Sequence, residues 1–156
     1  MITQGRNNQA IELQIRNAPE NAARGVRRGF HRLGNLEVIH SRKLIRKGPK
    51  TGRLYRIKGR KRMHRASAPG QAPANLTGSL ARSIGYNIYG NEMVFATRGD
   101  ESGPKKQANG GVPYGNWLDG GTRRIKPRPF LSATANHFDN QAETIFNDGI
   151  LETITE

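Results

Sequence analysis

Tyr86-Asn87-Ile88-Tyr89-Gly90-Asn91-Glu92-Met93-Val94-Phe95-Ala96-Thr97 is the stretch that decides the fold class. Aromatic and β-branched residues fill two short runs, and Gly90-Asn91 between them makes a two-residue turn, the signature of an antiparallel hairpin. On the N-terminal side, Thr77 starts a short helix with Leu80 and Ile84 on one face. On the C-terminal side, residues 99–111 form a Gly-rich polar loop that holds Asp100-Glu101. Val112-Pro113-Tyr114-Gly115-Asn116-Trp117-Leu118 then predicts a helical turn that ends at Gly120-Gly121, followed by the extended Lys126-Pro127-Arg128-Pro129. A final helix is expected from Phe130, with Leu131, Ala135, Phe138, Ala142, Ile145 and Phe146 along one face and Gly149 interrupting or ending it.

Toward the N-terminus, Ala10-Ile11-Glu12-Leu13-Gln14-Ile15-Arg16 alternates apolar and polar residues and reads as a half-buried strand. Pro19 suits the first position of a following helix, because the N–H it lacks would be unpaired there anyway. Ala22, Val26, Phe30 and Leu33 make that helix's apolar stripe, and Arg24, Arg27, Arg28 and Arg32 lie off it. Gly25, Gly29 and Gly34 each weaken the helix by roughly 1 kcal/mol relative to Ala. Its pattern can continue through Val38, Ile39 and Leu44.

Lys43-Leu44-Ile45-Arg46-Lys47 and Arg53-Leu54-Tyr55-Arg56-Ile57-Lys58 flank Gly48-Pro49-Lys50-Thr51-Gly52, which reads as a second hairpin. Neither of its faces is cleanly apolar, so it is expected to project as an arm, and residues 59–76 follow as an extended segment. The whole is an α+β pattern: a small antiparallel sheet packed with two longer helices, plus a projecting basic hairpin arm. One domain over residues 1–156 is expected, with residues 42–76 as arm and linker.

Charge separates the two ends of the chain. Residues 38–91 hold 13 Lys or Arg and no acid, and twelve of those cations are Arg42, Lys43, Arg46, Lys47, Lys50, Arg53, Arg56, Lys58, Arg60, Lys61, Arg62 and Arg65. Residues 1–91 have 19 basic and 3 acidic residues, residues 92–156 have 7 and 9, and the last 28 residues carry five acids and no Lys or Arg. Such a chain can meet its own copies head to tail. Asp139 and Glu143, one helical turn apart in the expected final helix, are a candidate acidic docking face for the arm of the next copy. The alternative partner for the arm is phosphate, since Lys and Arg gain affinity for nucleic acid by releasing counterions. Tyr55 is the one aromatic among the twelve cations, so a base-stacking platform is not expected.

The chain has no Cys, which excludes disulfides and thiolate metal sites. No run of 18 apolar residues and no apolar leader occur, so the expectation is a soluble intracellular protein or a particle component, with no membrane partner. His31, His40, His64 and His137 lack the spacing of a shared metal site, and no phosphate-loop or nucleophile-elbow motif is present. Neither an enzyme nor a cofactor is expected.

Two passages of the sequence carry a family resemblance. His64-Arg65-Ala66-Ser67-Ala68-Pro69-Gly70-Gln71-Ala72-Pro73-Ala74, leading into Thr77-Gly78-Ser79-Leu80-Ala81-Arg82-Ser83-Ile84, resembles the "S-A-P-G-x-x-P-A … T-G-x-L-x-x-S-I" passage of tailed-bacteriophage neck proteins. These are variously called head–tail joining, tail-completion or minor tail components. Tyr114-Gly115-Asn116-Trp117-Leu118-Asp119-Gly120-Gly121-Thr122, then Pro127-Arg128-Pro129-Phe130-Leu131, resembles their "Y-A-x-x-[VL]-E-x-G-T … x-R-P-F-L" ending. The basic hairpin also looks like an arm that many members carry. The match covers roughly residues 41–135, with Asp119 where Glu is usual and Gly115 where Ala is usual.

The resemblance implies a structural ring subunit at the junction of the DNA-filled head and the tail, in the virion and, during assembly, in the host cytoplasm. It implies a homo-oligomer of six or twelve copies that meets other neck, tail or portal-side rings and surrounds double-stranded DNA. Pro69, Gly70, Pro73, Thr77, Gly78, Leu80, Tyr114, Asp119, Gly121, Thr122, Pro129 and Phe130 are then its structural motif residues. Pro69 and Pro73 would stiffen a crossing segment, Thr77 would cap the short helix, and Phe130 and Trp117 are expected in the core. A free, non-sequence-specific nucleic-acid-binding protein acting through the arm is the alternative.

Overall fold

The computed structural model of the chain describes residues 4–59, 61–97 and 115–154, with side chains between positions 20 and 153. The fold class is α+β. The sequence readings that fall on the 99–111 loop, Val112, Pro113, Tyr114, Arg60 and Glu156 lie outside the described residues.

The longest element is α1, Gln4–Lys47. It corrects three expectations. The alternating run at 10–16 is helical, because a seven-residue alternation of Ala, Ile, Leu, Glu, Gln and Arg is also a set of good helix formers with Ile11 and Ile15 one turn apart. Pro19 lies inside the helix rather than at its first position, leaving one i→i−4 hydrogen bond unmade. Residues 43–47 continue α1 instead of opening a hairpin. Val38, Ser41 and Ile45 are buried at helical spacing, and this packing overrides the turn signal of the following Gly-Pro. Gly48 N–H closes the end on the Leu44 carbonyl at 3.0 Å, and Lys50 Nζ donates to the same oxygen at 3.2 Å.

After α1 come β1 (Leu54–Arg56), β2 (Met63–Arg65), α2 (Ser79–Ser83), β3 (Ile84–Tyr89), β4 (Glu92–Thr97), α3 (Gly115–Gly120), α4 (Leu131–Phe138) and α5 (Ala142–Ile154). The single final helix expected from Phe130 is therefore two helices, with residues 139–141 between them. Asp139 and Asn140 fall at the break, where short polar side chains compete with the helical backbone for hydrogen bonds. The chain divides into two compact units: Met1–Leu33 with Gln141–Glu156, and Gly34–Asn140.

The first unit pairs α5 with the N-terminal part of α1. Ala22, placed on the apolar stripe by spacing, is exposed, whereas Gly25 and Gly29 are buried. A Cβ at Gly29 would lie 2.7 Å from the Phe146 carbonyl oxygen, and one at Gly149 would lie 2.7 Å from the Gly29 Cα. These glycines lower helix propensity and at the same time allow two backbones to touch, so Gly149 is a packing residue within α5 and not its end. Phe30 packs on Phe146 with ring centroids 5.0 Å apart, and Glu152 pairs with Arg28 and Arg32.

The second unit has its core in Val38, Ile45, Ala72, Ala81, Ile84, Phe130 and Leu131. The hairpin β3–β4 forms as its sequence predicts, in register from Ile84↔Thr97 to Tyr89↔Glu92 around the Gly90-Asn91 turn. Arg42, assigned by charge to the arm, belongs to this framework. Its Nε donates to the Ala81 carbonyl and its Nη2 to the Ile84 carbonyl, each at 2.9 Å, tying α1 to the α2–β3 junction. Ser41 and Thr134 hydroxyls both donate to the Phe130 carbonyl, at 3.2 and 2.7 Å, which satisfies a buried acceptor where α1 meets α4.

Candidate functional site

The basic hairpin of the second unit forms, but with different strands from those expected. β1 pairs with β2 in the register Leu54↔Arg65, Tyr55↔His64 and Arg56↔Met63, and backbone bonds between Gly52 or Arg53 and Ala66 extend the ladder. Residues 43–47 cannot serve as a strand because the core holds them in helix, so the hairpin is made by β1 and β2 instead. Alternation places Tyr55 and His64 on one face, where their rings meet edge to face at 5.4 Å. Leu54, Arg56, Met63 and Arg65 share the other, and Leu54 and Met63 there are 46% and 48% exposed.

The twelve cations therefore do not form one arm. Arg42 is structural, Lys50 caps α1, and Arg65 donates to the Gly52 carbonyl at 3.3 Å. Burial of the Lys50 amine pushes its pKa down. Lys43, Arg46 and Lys47 are exposed on the last turns of α1, and Arg53, Arg56, Lys58, Lys61 and Arg62 are exposed on or beside the hairpin. None of these eight has an acidic partner among the described residues.

The two motif passages are brought together at the base of this hairpin. Arg128 donates from Nη1 to the carbonyl of buried Ser67 at 2.8 Å and also reaches its hydroxyl. Gly70 N–H donates to the Pro127 carbonyl at 2.9 Å, and Arg128 N–H to the Leu118 carbonyl at 2.7 Å. Gln71 braces the start of the hairpin, its Oε1 accepting from the Thr51 and Ala68 N–H groups at 2.9 and 3.0 Å. Pro73 is buried, while Pro69 and Gly70 are exposed and Pro129 is half-buried.

Asp119 provides the second anchor. Its Oδ1 accepts from the N–H groups of Phe130 and Leu131 at 2.6 and 2.7 Å, and Oδ2 accepts from Ser132 at 3.2 Å. A carboxylate eleven residues upstream in the chain thus satisfies the free donors at the start of α4, where Phe130 itself offers no side-chain cap. Gly121, at φ 76°, and Thr122 shape the turn between them, with Thr122 Oγ1 accepting from Arg124 and Ile125 N–H at 3.2 and 3.1 Å.

Thr77 is not the cap of α2. Gly78 holds that position at φ 80°, a conformation that favours glycine, and Thr77 Oγ1 accepts from Ser79 N–H at 3.3 Å from one residue further out. Leu80 is half-buried against the core. Phe130 is fully buried as expected, but Trp117 is 52% exposed, which corrects its assignment to the core. A short amphipathic turn presents only part of its apolar side to the interior.

Between hairpin and latch lies an open cavity of about 310 Å³, walled by Tyr55, His64, Leu76, Leu118, Ile125 and Arg128. Among the described residues, no cluster of three or more metal-ligating side chains occurs, and no helix is long and apolar enough to cross a membrane. His40 and His137, far apart in sequence, stack in parallel at 4.2 Å, with His40 Nδ1 3.1 Å from Thr134 Oγ1. The Thr134 proton is committed to Phe130, so His40 presents Nδ1–H to this oxygen. Burial, His137 and Lys43 together push the His40 pKa down. Glu37, buried on α1 with Oε2 unpartnered among the described residues, has its pKa raised by burial.

Sequence reasoning placed Arg42 in the arm and missed its structural role, and it missed the roles of Ser67, Arg128 and Gln71 and the histidine stack. Arg128 was detectable from its place between two prolines, a rigid segment that holds a side chain in one direction. The histidine stack had no local signal. The acidic face predicted from Asp139 and Glu143 loses its basis, because the helix break falls between them and they belong to different units.

Comparison of the chain with protein-family models, with curated proteins and with solved structures gives no match.

Proposed function

We propose that this protein is a structural subunit of a phage neck ring, either head–tail connector or tail-completion, which joins the DNA-filled head to the tail and surrounds the DNA channel. The observation that carries this reading is the junction of the two motif passages. Ser67 and Gly70 of the first are latched to Arg128 and Pro127 of the second, and Asp119 of the second holds the start of α4. The motif residues act as a frame, and what the frame presents outward is a hairpin that combines exposed apolar side chains with cations. That combination suits docking, and it performs no reaction.

Partners under this reading are further copies in a closed ring of six or twelve, adjoining neck, tail or portal-side rings, and duplex DNA in the channel. The protein then resides in the virion neck, after assembly in the host cytoplasm, and needs no cofactor. Electron microscopy of particles that lack it should show filled heads and tails that fail to join or mature. Normal infectious particles without it would end the reading.

The eight exposed cations favour a second reading, a free nucleic-acid-binding protein acting through phosphate contacts. It requires the isolated monomer to shift duplex DNA at about 0.15 M salt with steep salt dependence, whereas a ring subunit binds poorly until assembled.

A further inference from the structure

We infer that the outward face of the β1–β2 hairpin docks on the outward face of α5 in a second copy of this chain. This deepens the ring reading and rests on it. The hairpin face is a small checkerboard in which Leu54 sits opposite Arg65 and Arg56 opposite Met63. Arg53 is exposed beside it. Exposed apolar side chains interleaved with guanidinium groups call for a partner that is apolar in the middle and acidic at its edges.

α5 offers that arrangement. At about 100° per residue, Ala142, Ile145, Phe146, Gly149, Ile150 and Thr153 fall on one arc, and all are buried or half-buried. Glu143, Thr144, Asn147, Asp148 and Leu151 fall on the opposite arc, and all are exposed. Leu151, 58% exposed, lies mid-arc, with Glu143 and Asp148 on its two sides. Glu152 is already held by Arg28 and Arg32 within its own chain, which leaves Glu143 and Asp148 as the acids α5 offers outward.

Each face is exposed in the single chain. A contact between two different patches repeats head to tail and closes into a ring when the rotation per copy allows. Exposed ion pairs set register and encounter more than affinity, so Leu151 against Leu54 and Met63 supplies the apolar centre of the contact.

The absence of cysteine makes a direct test possible. Full-length Arg56→Cys and full-length Asp148→Cys are mixed and oxidised, and disulfide-linked pairs are counted against a control mixture of Arg56→Cys and Glu92→Cys. Both acidic positions are exposed, so both thiols are accessible. An excess of about tenfold over the control, shrinking as salt is raised, is the expected result. Light scattering on unoxidised mixtures reads ring formation separately. Ring-sized particles without excess cross-linking overturn this contact and leave the ring reading standing. Excess cross-linking in complexes that stop at open dimers upholds the contact and counts against the ring. No association and no excess at about 1 mM protein overturns the contact, as does monomer that shifts duplex DNA at about 0.15 M salt and loses all cross-linking when DNA is added.

Discussion

The two hairpins of the second unit share a topology and differ in almost everything else. β3–β4 is six residues long on each side, joins at the two-residue Gly90-Asn91 turn, and begins at Ile84, which is buried in the core. β1–β2 has three residues a side, and two of its apolar side chains face solvent. A pair of strands alone is marginal in water, so each hairpin needs an external support. The first obtains it from burial against α1 and α2. The second is held at its base by Gly52, Ala66, Gln71 and Arg65, while Leu54 and Met63 on its outer face are exposed. Burial and exposure are therefore placed on different hairpins.

The largest test of this contrast is a pair of truncations. Ile84→Ala should destabilise the second unit by about 2–5 kcal/mol, since it empties a fully enclosed site. Leu54→Ala should change stability by no more than about 0.5 kcal/mol, because its side chain is half in water already. Thermal melts of the two variants decide it. Comparable losses would mean that the basic hairpin belongs to the core after all.

An intermediate effect is expected at Asp119. Asp119→Ala removes the acceptor for three N–H groups at the start of α4 and should cost about 1–3 kcal/mol. The β3–β4 amides should keep most of their protection in hydrogen exchange while those of Phe130 and Leu131 lose theirs. Uniform loss across both hairpins would show that the cap holds the whole unit and not α4 alone.

The smallest effects come from α1, the element behind both hairpins, and they run in opposite pH directions. Glu37 has a raised pKa in the fold, so its contribution is most favourable below the unfolded value of 4.5 and is lost as pH rises through its folded pKa. Glu37→Gln should then raise the melting temperature by a few degrees at neutral pH and leave it nearly unchanged at pH 4. His40 has a lowered pKa, so its contribution is present above 6.5 and is lost as pH falls through the folded value. His40→Gln should flatten the fall in melting temperature on the acid side of 6.5. Melts across pH 4 to 8 check both signs.

Much of this protein was legible without coordinates. The β3–β4 hairpin, its turn and the short helix before it follow from local pattern alone, because strand-forming runs and a Gly-Asn turn act over a few residues. The α+β class follows from those same elements. What local pattern could not weigh was competition between signals. The run at 10–16 fits a strand and a helix equally by composition, and residues 43–47 carry a turn signal just beyond a helical stripe. In each case the longer element prevailed, because helix formation is cooperative and the core rewards continuing it.

Charge separation, the lack of cysteine, the β3–β4 hairpin and the two motif passages are properties of the local sequence. Tertiary structure alone decided which cations are free and which are spent, since Arg42 and Lys50 differ from Arg53 only in having carbonyl groups within reach. It also turned Gly29 and Gly149 from helix weaknesses into the point where two backbones meet, and it made Asp119 the cap of a helix that begins twelve residues later. Propensity and pattern act between neighbours in the chain, whereas hydrogen bonds, close packing and exposure depend on distances that exist only after the chain has folded back on itself.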